Sequence, residues 1–236
     1  MTPRRASRGM TSPPARLVRQ VDTHRLVPSC HRRKGDSVLV DIADDDAHLR
    51  ALFELDSATN DRLLAGAHLL PGIGLDELVA GVPNAIVVNA SFCHAHPLGA
   101  RFSSPDRGAW YAGFELAMSQ AEVAFHKSVQ LAEIGRFEDS ITYDDYLADC
   151  SGSFHDLRTS RAFQTCLAPD SYEASQALAE RLLHTGSLGV VYPSVRKAGG
   201  TCLACFRPAV VGHVRLANTY RFTWHGTPPP EIRIEK

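Results

Sequence analysis

Residues 99–126, GARFSSPDRGAWYAGFELAMSQAEVAFH, pass through three kinds of backbone within one short stretch. Residues 99–103 form an apolar run that holds an arginine, and the Pro, Asp and Gly of residues 105–108 are typical of a turn. Residues 114–129 are predicted to form a helix, because their apolar side chains recur at three- and four-residue steps. The question is whether the arginine and the glutamate near that apolar stripe belong to ordinary packing or to one shared site.

Elsewhere in the chain, strand-like segments outnumber helical ones and do not alternate regularly with them. This pattern argues against a parallel doubly wound sheet and predicts a mixed α+β domain. Strands are predicted at 21–27, 85–88, 90–93, 188–195, 202–211 and 220–224, with strands and loops over 137–157. Further helices are predicted at 47–55, 60–70 and 171–184.

The bulk composition limits the class of protein. The chain has 236 residues, 44% of them hydrophobic, and a formal net charge of −1, which suits one domain with or without a small appended subdomain. Its longest apolar runs are too short to cross a bilayer, so no membrane association is expected. A charge balance this close to neutral argues against a nucleic-acid-binding surface over the whole protein.

The two ends of the chain differ from the rest. Residues 1–20 carry five arginines and no acid, with Ser, Pro and Gly between them. No apolar core follows, so a secretory signal is not expected, and we predict a disordered basic tail. A nucleic-acid-binding arm is the alternative for such a charge block. Residues 227–236, TPPPEIRIEK, are predicted to be a C-terminal tail.

Of the six cysteines, only Cys202 and Cys205 are closely spaced. A structural zinc site usually has two such pairs. Because residues three apart on a strand face opposite sides, the pair is predicted to be reduced core cysteines, which indicates a cytoplasmic protein. His94 and His96 form an HxH pair, but no clear further ligand completes a metal site, so no metal is expected.

Three residues of the opening stretch are candidates for chemistry. The guanidinium of Arg101 offers a rigid fork of donors for a carboxylate or a phosphate, although a salt bridge that anchors its strand is the more ordinary explanation. Tyr111 is either a core residue or a stacking platform for a planar ring. Glu122 either faces solvent or holds a sugar hydroxyl and stabilises an oxocarbenium-like transition state.

Other candidates lie on separate elements. Arg25 stands between apolar residues on the first predicted strand. Ser194 in YPSVR lacks the GxSxG pattern of a hydrolase nucleophile, and contact with a phosphate suits it better. Arg196 and the glycines at 199–200 follow, in a composition that can make an anion pocket. A Rossmann fingerprint is absent, because Glu77 occupies the place of its third glycine. The whole set suits a phosphate-bearing ligand with a glycosidic bond.

Five segments in this order resemble the RES-domain family, toxins of bacterial toxin–antitoxin pairs that are named for an Arg, a Glu and a Ser. The segments are HRLVPS, GARFSS, WYAG, AEVAFH and GVVYPSVRKAGGTCLACFRP. The resemblance implies an α+β, ADP-ribosyltransferase-like fold with a split, mostly antiparallel β core and flanking helices. The RES domain is expected to span residues 21–226, with residues 28–82 as a possible helical insertion.

The resemblance also implies a role for each matched residue. The family's arginine falls on Arg101, its tyrosine on Tyr111 and its glutamate on Glu122, and these are the expected catalytic residues. In this interpretation Arg25 and Arg101 hold the pyrophosphate of NAD, Tyr111 stacks near the nicotinamide, and Glu122 bonds the ribose hydroxyls. The residues expected to bind NAD are Arg25, His94, Arg101, Ser103, Tyr111 and Ser194.

The activity that the resemblance implies is cleavage of the nicotinamide–ribose bond of NAD, with NAD as substrate. The expected acceptor of the ADP-ribose is a cellular protein, because the added segment before the site is where a target can dock. An NAD glycohydrolase or NAD phosphorylase that depletes cellular NAD is the alternative, and a non-catalytic anion-binding module is the third hypothesis. The expected partner is an Xre-type antitoxin that carries the DNA-binding function, so the chain itself is not expected to bind nucleic acid.

Overall fold

A computed structural model describes residues 12–32 and 70–235, which form seven β-strands and three α-helices. The strands are β1 (Ala15–Pro28), β2 (Trp110–Gly113), β3 (Glu138–Asp156), β4 (Gly189–Pro193), β5 (Thr201–Cys205), β6 (Val211–His225) and β7 (Glu231–Ile234). The helices are α1 (Ala85–Cys93), α2 (Leu116–Glu133) and α3 (Glu173–His184). Helices α2 and α3 lie where the sequence predicts helices over 114–129 and 171–184.

The strands form one sheet in the order β1-β2-β5-β4-β3-β6-β7, and β1 also pairs with β3. This extra pairing closes β1, β2, β5, β4 and β3 into a ring, from which β6 and β7 extend as an arm. The described pairings are antiparallel except for β3 with β4. The predicted α+β fold with a mostly antiparallel β core and flanking helices is confirmed.

The ring is weakest between β1 and β2. These strands share a single register pair, His24 with Gly113, whereas β1 pairs with β3 along most of its length. Helix α2 spans this opening, because the Ser119 hydroxyl donates to the carbonyl of His24 at 2.5 Å and accepts from the amide of Gly113 at 3.0 Å. The split in the sheet and the helix across it together position the candidate site.

Two cores lie on opposite faces of the sheet formed by β2, β4 and β5. Helix α1 packs on one face through Val88 and Phe92, and α3 packs on the other through Leu178 and Leu182. Helix α2 contributes Leu131 to a third cluster, with aromatic side chains of β3 and β6. Because β5 is buried on both faces, its alternating side chains serve both of the first two cores.

The paired cysteines of β5 follow this alternation. Cys202 belongs to the cluster on the α3 side and Cys205 to the cluster on the α1 side, as the strand spacing predicts. All six cysteines have free thiols, and all except Cys30 are buried. The prediction of reduced core cysteines is therefore confirmed for Cys202 and Cys205.

The prediction of strands at 85–88 and 90–93 was wrong, because these residues form α1. Val88 is 1% exposed and Phe92 is fully buried, and the helix is apolar along most of its length. A short buried apolar segment has no helical stripe that distinguishes it from a buried strand. Among the described residues, no helix combines the length and the apolar character needed to span a membrane.

Both predicted tails contain strand. Residues 15–20 belong to β1 and pair with β3 from Ala15 onward, and residues 231–234 form β7, which pairs with β6. The start of the basic tail, through residue 11, lies outside the described residues. The predicted helix at 47–55 and residues 60–69 of the predicted helix at 60–70 also lie outside the described residues. The same holds for most of the proposed insertion over 28–82.

Glu77 stands where a Rossmann fingerprint has its third glycine. In the structure its carboxylate forms ion pairs within the protein. Its carboxylate accepts hydrogen bonds from Arg107 Nη1 and Nη2, both at 2.7 Å, and from Arg207 Nη1 at 2.5 Å. Arg107 is 6% exposed and also donates to the carbonyls of Gly72 and Phe206, each at 2.7 Å. The Arg107 bonds, with help from Arg207, lower the pKa of Glu77 to about 2. This network ties the segment around Glu77 to the body of the fold.

Glu77→Gln should lower the free energy of unfolding at pH 7 by about 2–4 kcal/mol, because Arg107 stays buried without its anion. The folded pKa of Glu77 lies below its unfolded value of about 4.3, so the contribution is present above that pH and is lost as the pH falls toward 2. Urea unfolding should therefore separate the two proteins widely at pH 7 and less at pH 3. The exposed Glu133→Gln serves as control, with an expected change below about 0.5 kcal/mol. Equal differences at both pH values contradict the assignment.

Candidate active site

A cavity of about 280 Å³ lies at the split between β1 and β2. Its walls come from β1, β2, β4, β5, α2 and the turn at residues 99–103. Four residues predicted from the sequence line it together: Arg25, Arg101, Tyr111 and Glu122. The remaining lining residues are Leu26, Ala100, Ala112, Gly113, Ser119, Val123, His126, Tyr172, Tyr192 and Cys202.

Arg25 is a cation that forms no salt bridge with any described carboxylate. Its Nη1 donates to the carbonyl of Tyr111 at 3.1 Å, and its guanidinium lies 4.9 Å from the centroid of the Trp110 ring. Its Nε is buried and has no hydrogen-bond partner within residues 12–32 and 70–235. Burial lowers the pKa of Arg25 to about 10, so the side chain is still charged at neutral pH. Burying a charged group with an unused hydrogen-bond donor is energetically unfavourable unless an anion binds that group.

Arg101 lies in a tight turn instead of on a strand. The backbones of Ala100 and Ser103 close this turn, with N–H to carbonyl distances of 2.9 and 3.3 Å. Gly99 precedes it at φ +69°, and a Cβ there would lie 2.3 Å from the carbonyl oxygen of Ser103. The turn therefore requires glycine at position 99, both for its backbone angle and for its space.

The guanidinium of Arg101 is held by neutral groups. Arg101 is 6% exposed, and its Nη1 donates to the carbonyl of Ala168 at 2.7 Å and to that of Cys166 at 3.4 Å. Its guanidinium lies 4.8 Å from the centroid of the Tyr172 ring. Among the described carboxylates none forms a salt bridge with it, so the strand-anchoring salt bridge weighed from the sequence is not what the fold uses.

Gly99→Ala should disable the turn that carries Arg101. A Cβ at φ +69° adds backbone strain of about 1–3 kcal/mol, and the contact with the Ser103 carbonyl forces the turn to shift. Gly81→Ala is the matched control, because Gly81 has φ +68° and a Cβ added there meets nothing within 4 Å. We expect both variants to have a lower unfolding temperature. Only Gly99→Ala should also lose more activity on its substrate than the loss of stability explains. Equal activity in the two variants contradicts a role for this turn.

Tyr111 connects β2 to the same turn. Its hydroxyl accepts from the amide of Phe102 at 2.9 Å and donates to Ser103 Oγ at 3.1 Å. Burial raises the pKa of Tyr111 to about 12. The phenol is thus occupied within the protein, while the ring lines the cavity. Ser103 does not line this cavity, so its contact with NAD stays a prediction.

Glu122 faces the cavity from α2, with 26% of its side chain exposed. Burial raises the pKa of this carboxyl, and the charges of Arg196 and Arg101 and a bond from Ser194 offset part of the effect. The carboxylate is therefore near both the arginine of the turn and the loop after β4. The interpretation that Glu122 simply faces solvent does not hold.

Ser194 lies directly after β4 and beside the cavity. Its amide donates to the carbonyl of Gly200 at 2.8 Å, and its Oγ accepts from the amides of Arg196 and Lys197 at 3.3 and 3.1 Å. The Ser194 side chain is also among the groups that lower the pKa of Glu122, while its contact with NAD stays a prediction. Ser194 thus links the loop after β4 to the acid on α2.

His126 is a cavity residue that the sequence reasoning did not select. Its Nε2 lies 3.9 Å from the Glu122 carboxylate, one helical turn away. Desolvation at the cavity wall lowers the pKa of His126, and the charges of Arg196 and Arg101 lower it further, although 54% of the side chain is exposed. The sequence signal was available, because positions i and i+4 of AEVAFH share one face of a helix. Tyr172 had no such signal, because the fold brings it to Arg101 from a distant segment.

His94 is not brought into this group. It lies exposed at the C-terminal end of α1 and does not line the cavity, so its contact with NAD stays a prediction. Across residues 12–32 and 70–235, no group of three or more His, Cys, Asp and Glu side chains is placed to hold a metal ion.

The cavity combines two cations and one acid with distinct partners. Arg25 and Arg101 present donors that no described carboxylate neutralises, which suits a phosphate or diphosphate. Glu122 adds a negative charge in a poorly solvated position, which suits a group that becomes positive during reaction. Such a site can bind an anionic ligand and stabilise a cationic centre within the same molecule.

Comparison with known proteins gives one family and a structural neighbour. A family model described as RES domain matches residues 79–225 of the chain. Among solved structures, the chain is similar to the crystal structure of the M. tuberculosis MbcT–MbcA toxin–antitoxin complex, at 14% sequence identity and a TM-score of 0.47. That similarity covers 88% of this chain and 87% of the other. No curated protein matches the chain.

Proposed function

Because the chain belongs to the RES domain family, we propose that it is the toxin of a toxin–antitoxin pair, cleaving the nicotinamide–ribose bond of NAD and transferring ADP-ribose to a cellular protein. One observation carries the proposal. Arg25 and Arg101, neither paired with a described carboxylate, line one cavity with the half-buried Glu122. NAD has the matching chemistry, since it joins a diphosphate to a ribose that bears a cationic leaving group.

Binding of NAD follows from the two arginines. The guanidinium groups of Arg25 and Arg101, two residues that line the cavity, are donors for charge-assisted bonds to the diphosphate. The stacking on Trp110 and Tyr172 holds both guanidinium groups in place before NAD arrives, which lowers the entropy lost on binding. A volume of about 280 Å³ lies at the small end of ligand sites and suits the nicotinamide ribose, with the adenosine extending outward.

The reaction needs stabilisation of charge more than proton transfer. Nicotinamide leaves as a neutral molecule and takes both electrons of the bond from the ribose C1′. Positive charge then develops on the ribose, where the Glu122 carboxylate stabilises it and accepts a bond from a ribose hydroxyl. The acceptor forms the new bond to C1′ with its own lone pair, and its proton passes to solvent. Tyr111 contributes its ring beside the nicotinamide, since its hydroxyl is already bonded to Ser103.

The acceptor decides between the leading function and its alternative. The site residues act on the nicotinamide–ribose bond and not on the acceptor. They therefore serve equally well when the acceptor is water or phosphate. The protein would then be an NAD glycohydrolase or an NAD phosphorylase. We place a protein acceptor first because of the segment over 28–82 that precedes the site motifs. A non-catalytic anion-binding module is the lowest-ranked function, because it leaves Glu122 without a role.

Labelling NAD in its adenine half tests the acceptor. Purified protein is incubated with the labelled NAD alone, with inorganic phosphate, and with cell lysate. Transfer to a protein predicts label in a lysate band; hydrolysis predicts free ADP-ribose without any addition; phosphorolysis predicts a phosphorylated ADP-ribose only when phosphate is present. Intact NAD in all three mixtures rules out the proposed function.

The partner that we propose is an Xre-type antitoxin, as the family resemblance implies. Its expected role is to bind the toxin, cover the site and supply the DNA-binding function. Co-expression of such an antitoxin should abolish toxicity and leave the toxin in a stable complex, as size-exclusion chromatography can measure. If an antitoxin forms the complex but leaves toxicity unchanged, the antitoxin does not cover the active site.

A further inference from the structure

A third arginine, Arg196, lies next to the site without lining the cavity. Its guanidinium carbon is 3.4 Å from the centroid of the Phe125 ring, and Phe125 follows Glu122 by three residues on α2. Its Nη2 donates to the carbonyl of Pro169 at 2.9 Å, and its Nε is buried without a hydrogen-bond partner in the part of the chain that the structure describes. An aromatic ring and a neutral carbonyl therefore hold this cation against the helix that carries Glu122.

The loop that carries Arg196 is fixed at both ends. The Ser194 hydroxyl accepts from the amides of Arg196 and Lys197, and the amide of Ser194 donates to the carbonyl of Gly200. Gly200 packs so closely on α2 that a Cβ there would lie 1.6 Å from Met118 Sδ. These contacts hold the backbone of the loop against α2.

Several charged and titratable groups face Glu122. Burial raises the pKa of Glu122, and among the opposing influences the charge of Arg196 is the largest, ahead of Arg101 and Ser194. His126 contributes a neighbouring imidazole from α2. The Cys202 thiol on β5 and the Tyr192 phenol on β4 are neutral at pH 7, because burial raises the pKa of each. Arg25 and Tyr111 complete the walls from β1 and β2.

Arg101 and Arg196 differ in what happens when NAD binds. Arg101 lines the cavity, so a bound diphosphate neutralises its field at Glu122. Arg196 lies outside the cavity lining and keeps its charge free. Of the two described arginines whose charges act on Glu122, Arg196 is therefore the one that still does so in the complex with substrate.

We propose that Arg196 is a positioning residue that keeps the Glu122 carboxylate ionised and directed into the cavity while the diphosphate occupies Arg101. The inference rests on the proposed function, in which ionised Glu122 stabilises the ribose cation. It assigns to the loop after β4 an electrostatic role in turnover in addition to any contact of Ser194 with substrate.

The test compares pH profiles of kcat for nicotinamide release in Arg196→Met, Arg196→Lys and the control Lys197→Met. Lys197 is exposed on the same loop, so its variant removes the same charge without removing the contact. For Arg196→Met we expect the acid limb of kcat to move up by about one pH unit, with a loss of kcat that grows to at most about tenfold on that limb and nearly normal kcat at pH 9. Arg196→Lys should recover much of the loss, and Lys197→Met should keep the wild-type profile.

His126 requires its own control, because Arg196 also lowers the pKa of that imidazole. The comparison is therefore repeated in a His126→Asn background, where a remaining shift of the acid limb belongs to Glu122. If Arg196→Met does not fold, Phe125→Leu removes the ring under the guanidinium and should give a smaller shift in the same direction.

Three results overturn the inference. They are an Arg196→Met profile that superimposes on the wild type, an equal shift in Lys197→Met, and a loss of kcat that is uniform across pH. Failure of the proposed function is distinguishable, because the wild-type protein would then release no nicotinamide at any pH.

Discussion

Glu122→Gln should slow nicotinamide release from NAD by about 10²–10³-fold, the usual effect of removing one preorganised group that stabilises transition-state charge. The amide keeps the shape of the side chain but loses the negative charge that offsets the developing ribose cation. Folding should not suffer. Burial raises the pKa of Glu122 in the fold, so the charged form is penalised at pH 7, and a neutral amide removes that penalty. Initial rates and thermal unfolding of the same samples measure both effects.

Glu133→Gln provides the matched control for this prediction. It removes the same charge from the exposed end of α2 and should leave both the rate and the unfolding temperature near the wild-type values. If Glu122→Gln retains a rate within about threefold of the control, Glu122 does not carry the chemistry that we assign to it.

Arg25→Met should lower the activity and raise the stability of the protein. The guanidinium of Arg25 is charged, its Nε is buried without a hydrogen-bond partner among the described residues, and burial lowers its pKa to about 10, so an apolar side chain of similar length removes an unfavourable burial. We expect the unfolding temperature to rise by roughly 2–4 °C, which corresponds to ~1 kcal/mol in a chain of this size. The kcat/KM for NAD should fall about 10²-fold, as expected for loss of a charge-assisted hydrogen bond. Steady-state kinetics and calorimetry give the two numbers.

Arg107→Met separates this behaviour from that of a structural arginine. Arg107 is 6% exposed, whereas Arg25 is half-buried, and Arg107 is paired with Glu77, so its loss leaves a carboxylate with one partner fewer and should lower the unfolding temperature. If Arg25→Met is destabilised as Arg107→Met is, Arg25 serves the fold, and the diphosphate site that we propose loses one of its two cations.

The residues of the site were largely predictable because their local patterns are strong. The apolar stripe of residues 114–129 locates α2 and therefore the face on which Glu122 lies. The order of Arg101, Tyr111 and Glu122 along the chain matches the motif order of the family. Cys202 and Cys205 follow the alternation of a strand, which is a property of the backbone and needs no tertiary information.

Other features depend on contacts that local patterns do not contain. Helix α1 is buried on most sides, so its sequence lacks the polar face that would distinguish it from a strand. The first residues of β1 are mostly exposed, and their arginines, Arg16 and Arg19, resemble those of a basic tail. Tyr172 reaches Arg101, and Arg196 reaches Phe125, only through the tertiary fold.

The central claim is that this chain breaks the nicotinamide–ribose bond of NAD with Glu122. The most direct measurement uses NAD labelled in the nicotinamide, purified wild-type protein and folded Glu122→Gln, with phosphate and lysate added so that no acceptor is lacking. We predict free labelled nicotinamide with the wild-type protein and at least a hundredfold slower release with the variant. Intact NAD with the wild-type protein, or equal release by both proteins, would contradict the account.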